Sequence, residues 1–272
     1  MKLSLNTATI KKADLETAAR LCAENGITGI GPWRDVVQAR GVAAAARIFR
    51  SYALEVTSLC RGGFFTMPDG DDRKAALDDN RAALQEAADL GTRELVLVVG
   101  GLPDRDLPAA RRRVADALEE LAPYAASLGV RLAIEPLHPM FCADRAVVST
   151  LGQALDLAAP FPPSVVGVVV DTYHIWWDPD MFPQIARAGS EGRISAYQVC
   201  DWVIPLPADV LLGRGHVGDG HIAFAPITDA VRAAGFTGHV EVEIFNQAIW
   251  DTDPATTVME VVRRHREHFG EV

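Results

Sequence analysis

Short β-branched runs alternate with longer amphipathic segments along the whole chain. Apolar runs at 3–7, 28–32, 54–59, 94–100, 130–135, 165–171, 194–199 and 239–244 read as strands. "ELVLVV" and "SVVGVVV" are almost unbroken, as expected of parallel strands buried on both faces. "GITGIG" carries the same signal more weakly, because its glycines dilute it. Between 107 and 128 the apolar positions Leu107, Val114, Leu118, Leu121, Ala125 and Leu128 recur at helical spacing and keep one face toward a core. Gly129 then supplies a left-handed cap, as Gly26 and Gly91 do after helices over 13–25 and 75–90. Thr150 and Gln153 have capping-box spacing at the start of a helix over 150–159. Helices near 39–52, 180–190, 226–234 and 255–268 complete the set, with His265 and His268 read as solvated residues of the last one.

This alternation predicts βα units and a parallel sheet. The length, 272 residues, suits a (β/α)₈ barrel. No Pro/Gly/Ser-rich linker divides the chain, so a single (β/α)₈ TIM barrel over 1–272 is the expected fold. A doubly wound open sheet shares the alternation. It would, however, carry a glycine-rich phosphate loop after its first strand, and "LSLNTATI" has none.

Charge and composition narrow the partners. The net charge is -10, and the only lysines are Lys2, Lys11, Lys12 and Lys74. With no basic stripe, nucleic acid is not an expected partner. The "RRR" at 111–113 reads as a solvated helix face. No apolar stretch approaches the roughly 18–20 residues of a membrane span, and "MKLSLNTAT" lacks a signal-peptide pattern. Cys22, Cys60, Cys142 and Cys200 are widely spaced and read as reduced thiols, which points to a cytoplasmic protein.

The candidate chemistry lies at strand ends. Glu135 ends "VRLAIE", Asp171 ends "VVGVVVD", Gln198 sits in "ISAYQVCD" and Glu243 ends "GHVEVE". In a barrel the C-terminal strand ends carry the active site. Neighbouring strands would bring these acceptors within about 5–10 Å of one another. Alone, each is as readily a helix cap or an ion-pair partner. Together, three unpaired carboxylates repel and need a cation, protons or raised pKa values. One divalent metal ion is the simplest resolution, with Glu135, Asp171, Gln198 and Glu243 as its ligands. An all-oxygen shell favours Mn²⁺ or Mg²⁺ over Zn²⁺, which prefers nitrogen and sulfur.

Other residues admit two readings. His138, three residues after Glu135, is either an acid/base group or a packed loop residue. Trp176 and Trp177 in "HIWWD" are the best-placed aromatics to stack on a sugar ring, although rim tryptophans also cover barrel mouths. Trp250 is the candidate interface residue of a homodimer. Few lysines and no glycine-rich anion cradle point to an unphosphorylated substrate, with Arg34, Arg61 and Arg214 as candidates for holding one anion.

"IEP" at 134–136, "DTYH" at 171–174, "YQVCDW" at 197–202, "GDGHIAF" at 218–224 and "GHVEVEIF" at 238–245 occur in that order. Together they resemble the xylose-isomerase-like TIM-barrel superfamily of sugar (phosphate) isomerases and epimerases. The resemblance implies that Glu135, Asp171 and Glu243 are metal ligands, that His174 and Arg214 contact substrate, and that Glu135 and Glu243 move protons. It departs at Gln198, where the family's third ligand is usually His. The Gln carbonyl oxygen can still ligate, or the metal keeps three protein ligands and a water.

The implied activity is isomerisation or epimerisation of a small carbohydrate, a polyol-derived ketone or a keto acid. It would proceed by proton abstraction alpha to a carbonyl, through a metal-stabilised enediolate. A lyase or hydratase acting on a keto-sugar or inosose is the alternative, with His138 as acid for the leaving group. A non-catalytic binding barrel follows if Gln198 disables the metal. An apurinic-site nuclease is disfavoured, since the chain has neither a basic face nor histidine-rich zinc sites.

Overall fold

Each apolar run falls in a strand of one parallel sheet. The strands are β1 (Leu3–Asn6), β2 (Gly29–Gly31), β3 (Glu55–Val56), β4 (Leu59–Gly63), β5 (Glu94–Val98), β6 (Arg131–Ile134), β7 (Val166–Asp171) and β8 (Ile194–Val199). A short antiparallel ribbon, β9 (Asp201–Trp202) and β10 (Arg214–Gly215), follows on the rim, and β11 (Val240–Val242) ends the sheet. The structure is a computed structural model that describes residues 1–270. The order β3-β2-β1-β11-β8-β7-β6-β5-β4 makes nine parallel strands into a nearly closed TIM barrel wrapped by helices.

The seam falls inside the run expected as one strand over 54–59. β3 pairs with β2 and β4 pairs with β5. The chain breaks between them at Thr57 and Ser58, whose hydroxyls turn to the Glu241 carboxylate at 2.8–3.1 Å. The expected helix over 39–52 is likewise two, Arg34–Arg40 and Val42–Ser51, parted at Gly41, whose φ of 87° few other residues adopt.

Leu107–Leu128 forms as its spacing predicts, and Gly129 ends it in the left-handed region. Thr150 accepts the Gln153 N–H, but the Gln153 side chain bonds Ser149 N–H rather than that of Thr150. His265, expected to be solvated, is 1% exposed in the helix Pro254–Phe269. Trp250, the candidate interface residue, is buried within the chain, its Nε1 donating to Ala8 O at 2.7 Å. Among the described residues no helix is long and apolar enough to cross a membrane.

One feature of the core positions the site. Cys60, Val96, Ala133, Val169 and Ala196, one from each of β4 to β8, make a separate cluster of small side chains, with Trp33 packed on it. Strand side chains alternate with period two. Glu135, Asp171 and Gln198, each two residues past a member of that cluster, therefore share its face one layer higher.

Candidate active site

The layer above these small residues is charged and almost sealed. Glu135 and Glu243 follow β6 and β11 directly, Asp171 closes β7, and Gln198 is in register with both Asp171 and Glu241. All are at most 5% exposed. Glu135 and Glu243 line a cavity of about 140 Å³ together with Trp33, Cys60, Arg61, Arg145, His174 and Arg214, with Leu137, Leu211 and Phe245 as its apolar wall; Asp171 and Gln198 lie outside that lining.

Arg214 is the internal counter-charge. Its guanidinium meets Glu243 Oε2 at 2.9 Å and Asp171 Oδ2 at 3.7 Å, and stacks between Tyr173 and Phe245. Asn246 Nδ2 holds the Arg214 carbonyl at 2.8 Å. Trp33 Nε1 donates to the other Glu243 oxygen at 3.1 Å. One arginine does not balance three buried carboxylates. Burial, with the Asp171 and Glu241 charges adding, pushes the Glu243 carboxyl up to about 7 even against the pull of Arg214. Burial, with Asp171 and Glu243 adding, holds Glu135 well above the ordinary carboxylate range. Burial also raises Asp171, which Arg214 and the Tyr173 N–H partly oppose.

His174 is neutral, its pKa driven well down by burial and then by Arg214. The His138 backbone N–H donates to its Nδ1 at 3.2 Å. Its other ring nitrogen, Nε2, lies 3.2 Å from Arg214 Nη2, and a guanidinium can only donate. The same Nε2 lies 3.9 Å from Glu135 Oε1 and from Asp171 Oδ2. The imidazole therefore sits between the Arg214 guanidinium and two carboxylates.

Unsatisfied acceptors show where a cation fits. Asp171 Oδ2 and Gln198 Oε1 are buried with no hydrogen-bond partner among the described residues. Gln198 Nε2 is committed to Glu241 Oε1 at 2.9 Å, so its carbonyl oxygen is the free end. Glu135, Asp171 and His174 each offer an atom within 4.8 Å of the others. Gln198, paired in register with Asp171, adds its free carbonyl oxygen at the next strand end. Orphaned acceptors of this kind are costly when buried and suit a hard divalent ion.

The remaining candidates fall outside the cavity lining. His138 Nδ1 accepts the Met140 N–H at 3.2 Å, and its ring packs on Trp202 and Trp177. Trp176 packs against Trp202, its Nε1 buried without a partner. The tryptophan that does border the cavity is Trp33, on the far side of the chain from "HIWWD". Arg145 and Cys60 also line it, and neither carries a local signal that marks it in advance. Asp201 fixes the rim loop by accepting the N–H groups of Gly218, Gly220 and Ile222 at 2.8–3.0 Å.

Comparison with known proteins agrees with this architecture. Residues 19–268 match the family model described as xylose isomerase-like TIM barrel. No curated protein matches the chain. The crystal structure of protein SMc04130 from Sinorhizobium meliloti 1021 is 48% identical, with a TM-score of 0.95 over 98% of each chain. The IolI protein with a bound zinc atom is 21% identical, with a TM-score of 0.83 over 99% of each chain. The 3-keto-D-glucoside 4-epimerase of E. coli is 19% identical, with a TM-score of 0.79 over 98% of this chain and 99% of its own. The last two share the fold.

Proposed function

The chain belongs to the xylose isomerase-like TIM barrel family, and on that premise we propose that it is a divalent-metal-dependent isomerase or epimerase of a small sugar, polyol-derived ketone or keto acid. One observation carries the reading. Two buried glutamates, Glu135 and Glu243, line the same small cavity, and burial among neighbouring carboxylates raises Glu243 to about 7 and Glu135 well above the ordinary carboxylate range. Structural neighbours that act on sugars, the keto-glucoside epimerase and a D-psicose 3-epimerase, support the carbohydrate class.

The two glutamates are held differently, which separates their tasks. Glu243, bonded by Arg214 and Trp33, is the better stabilised as a carboxylate and takes the proton from the carbon next to the substrate carbonyl. Glu135 has no arginine hydrogen bond among the described residues; it holds a proton and delivers one to the other carbon or face. His174, beside Arg214 in the cavity lining, contacts a substrate oxygen. Arg214 sets positive charge beside the developing enediolate. Glu135, Asp171 and Gln198 would hold a Mg²⁺ or Mn²⁺ ion, with Glu243 beside it, and such an ion supplies polarisation of the carbonyl. Elimination gains no comparable support, because His138, its candidate acid, is engaged with Met140 and Trp202.

Product analysis tests this. Protein supplied with Mg²⁺ or Mn²⁺ and a panel of ketoses, aldoses and short keto acids should yield an isomer of unchanged mass, read by NMR. Products lighter by one water, or no conversion across the panel, would overturn it.

A further inference from the structure

We propose that Arg61 and Arg145 form an anion subsite at the edge of the cavity, and that the substrate presents a carboxylate or phosphoryl group to it. The second clause rests on the isomerase reading above; the first does not. Two other arginines near the site are already engaged. Arg34 is consumed by structure: it bonds Asp79 at 2.8 and 2.9 Å and Glu86 at 2.7 and 3.3 Å. Arg214 is committed to Glu243.

Arg61 and Arg145 line the cavity and are not so engaged. Arg61 has no side-chain hydrogen bond and no ion pair among the described residues. Its guanidinium lies over the Phe64 ring at 4.1 Å, which occupies its face and leaves its N–H edges free. Arg145 pairs only with the exposed Asp144, its buried Nε lying 3.5 Å from Asp144 Oδ2 without forming a hydrogen bond.

Both backbones are anchored by hydrogen bonds at their carbonyls. The Arg61 carbonyl accepts from Arg34 at 3.5 Å, and the Arg145 carbonyl accepts the Gly100 N–H at 2.8 Å. Burial, then the neighbouring Arg145 charge, lowers the Arg61 pKa, so the two cations crowd each other. Among the described residues Arg61 has no ion-pair partner and Arg145 only the exposed Asp144, so bringing these two like charges together carries an incompletely compensated cost. An anion removes it, and the arginine fork matches the planar oxygens of a carboxylate or phosphoryl group. The cavity, about 140 Å³, is well below the roughly 300–1,000 Å³ of drug-sized ligand sites. A molecule of a few carbons, with its charged end on Arg61 and Arg145 and its carbonyl toward Glu135 and Glu243, fits these dimensions.

Equilibrium binding tests the subsite without turnover or metal. Titration calorimetry would use glycolate, inorganic phosphate and the neutral ethylene glycol at matched ionic strength. Glycolate or phosphate should bind wild type, and Arg61→Gln and Arg145→Gln should each weaken it by about tenfold or more, the loss of a charge-assisted hydrogen bond. Arg61→Lys should recover part of the affinity. Binding of glycolate alone assigns a carboxylate, and binding of phosphate alone a phosphoryl group. Absent anion binding, or equal affinity in wild type and both Gln variants, overturns the proposal. If one variant does not fold, the other decides. Anion binding without isomerisation of any acid tested would fault the functional reading alone; isomerisation of neutral ketoses without anion binding would fault the subsite alone.

Discussion

The two ends of the barrel are both polar, and they differ in how that polarity is satisfied. The larger cavity, about 310 Å³, opens at the N-terminal end, beside Glu55, Glu94, Arg131, Ser195, His239 and Glu241. Its buried charges are partnered. Glu94 and Arg131 meet at 2.6–3.2 Å, and Glu241 accepts from Asn6, Thr57, Ser58 and Gln198. Ser195 Oγ is the exception there. The smaller C-terminal cavity is lined by Arg214 and Arg145, whose Nε atoms are buried without a hydrogen bond, and by the unpaired Arg61, while Asp171 Oδ2 and Gln198 Oε1, also buried without hydrogen bonds, lie at the neighbouring strand ends. Buried polar groups are normally satisfied, so unmet ones mark where a ligand belongs. Size alone would have chosen the wrong end. The fold agrees with this choice, since barrels place chemistry at the C-terminal face and stability at the other.

The largest effects should separate the two ends cleanly. Glu243→Gln and Glu135→Gln should each lower turnover by roughly 10²–10⁴-fold, the usual weight of a general acid or base, while the melting temperature holds or rises. Arg131→Met, at the opposite end, should leave turnover per folded molecule unchanged. A comparable loss of turnover in that variant would erase the distinction. Next in size is a stability effect. Arg214→Met strands Glu243 and Asp171 and should cost about 3–5 kcal/mol in denaturant unfolding. Arg131→Met should cost less, about 1–3 kcal/mol, because the exposed edge of Glu94 is reached by water.

Metal loading should act at one end only. Mn²⁺ at about a hundredfold over its Kd should stabilise wild type by about 2.7 kcal/mol, and Asp171→Asn should remove most of that gain. An equal gain in both would exclude Asp171 as a ligand. The smallest effect lies far from either cavity. Burial depresses the His265 pKa to about 4, below its unfolded value. Its contribution to stability is therefore present above about pH 6.5 and is lost as pH falls from there through about 4. His265→Leu should flatten that acid limb, seen in unfolding midpoints across the range.

The fold was legible because its signals are local. Continuous apolar runs ending in Glu135, Asp171 and Glu243, and the helical spacing from Leu107 to Leu128, need no knowledge of distant contacts. The break between β3 and β4 was not legible, because Glu241 causes it from nearly two hundred residues away. The same holds within the site. Glu135, His174, Arg214 and Glu243 do line one cavity, but the bridge from Arg214 to Glu243 and the bond from Trp33 exist only after closure of the barrel. Trp33 rather than Trp176 borders the cavity because packing, not spacing, selects among rim aromatics. His138 contributes its backbone N–H to His174, a role no side-chain motif encodes. Gln198 reads as a lost histidine in sequence; in the fold, its amide nitrogen is anchored by Glu241 and its oxygen is left free.

Proton transfer by two glutamates is the central claim, and solvent hydrogen exchange is its most direct measure. In D₂O, wild type should place deuterium on the carbon next to the carbonyl of a substrate whose skeleton is otherwise unchanged. Glu135→Gln and Glu243→Gln should each abolish net conversion with deuterium incorporation. Incorporation at the wild-type rate in both variants, or conversion by wild type with no deuterium at that carbon, would contradict it.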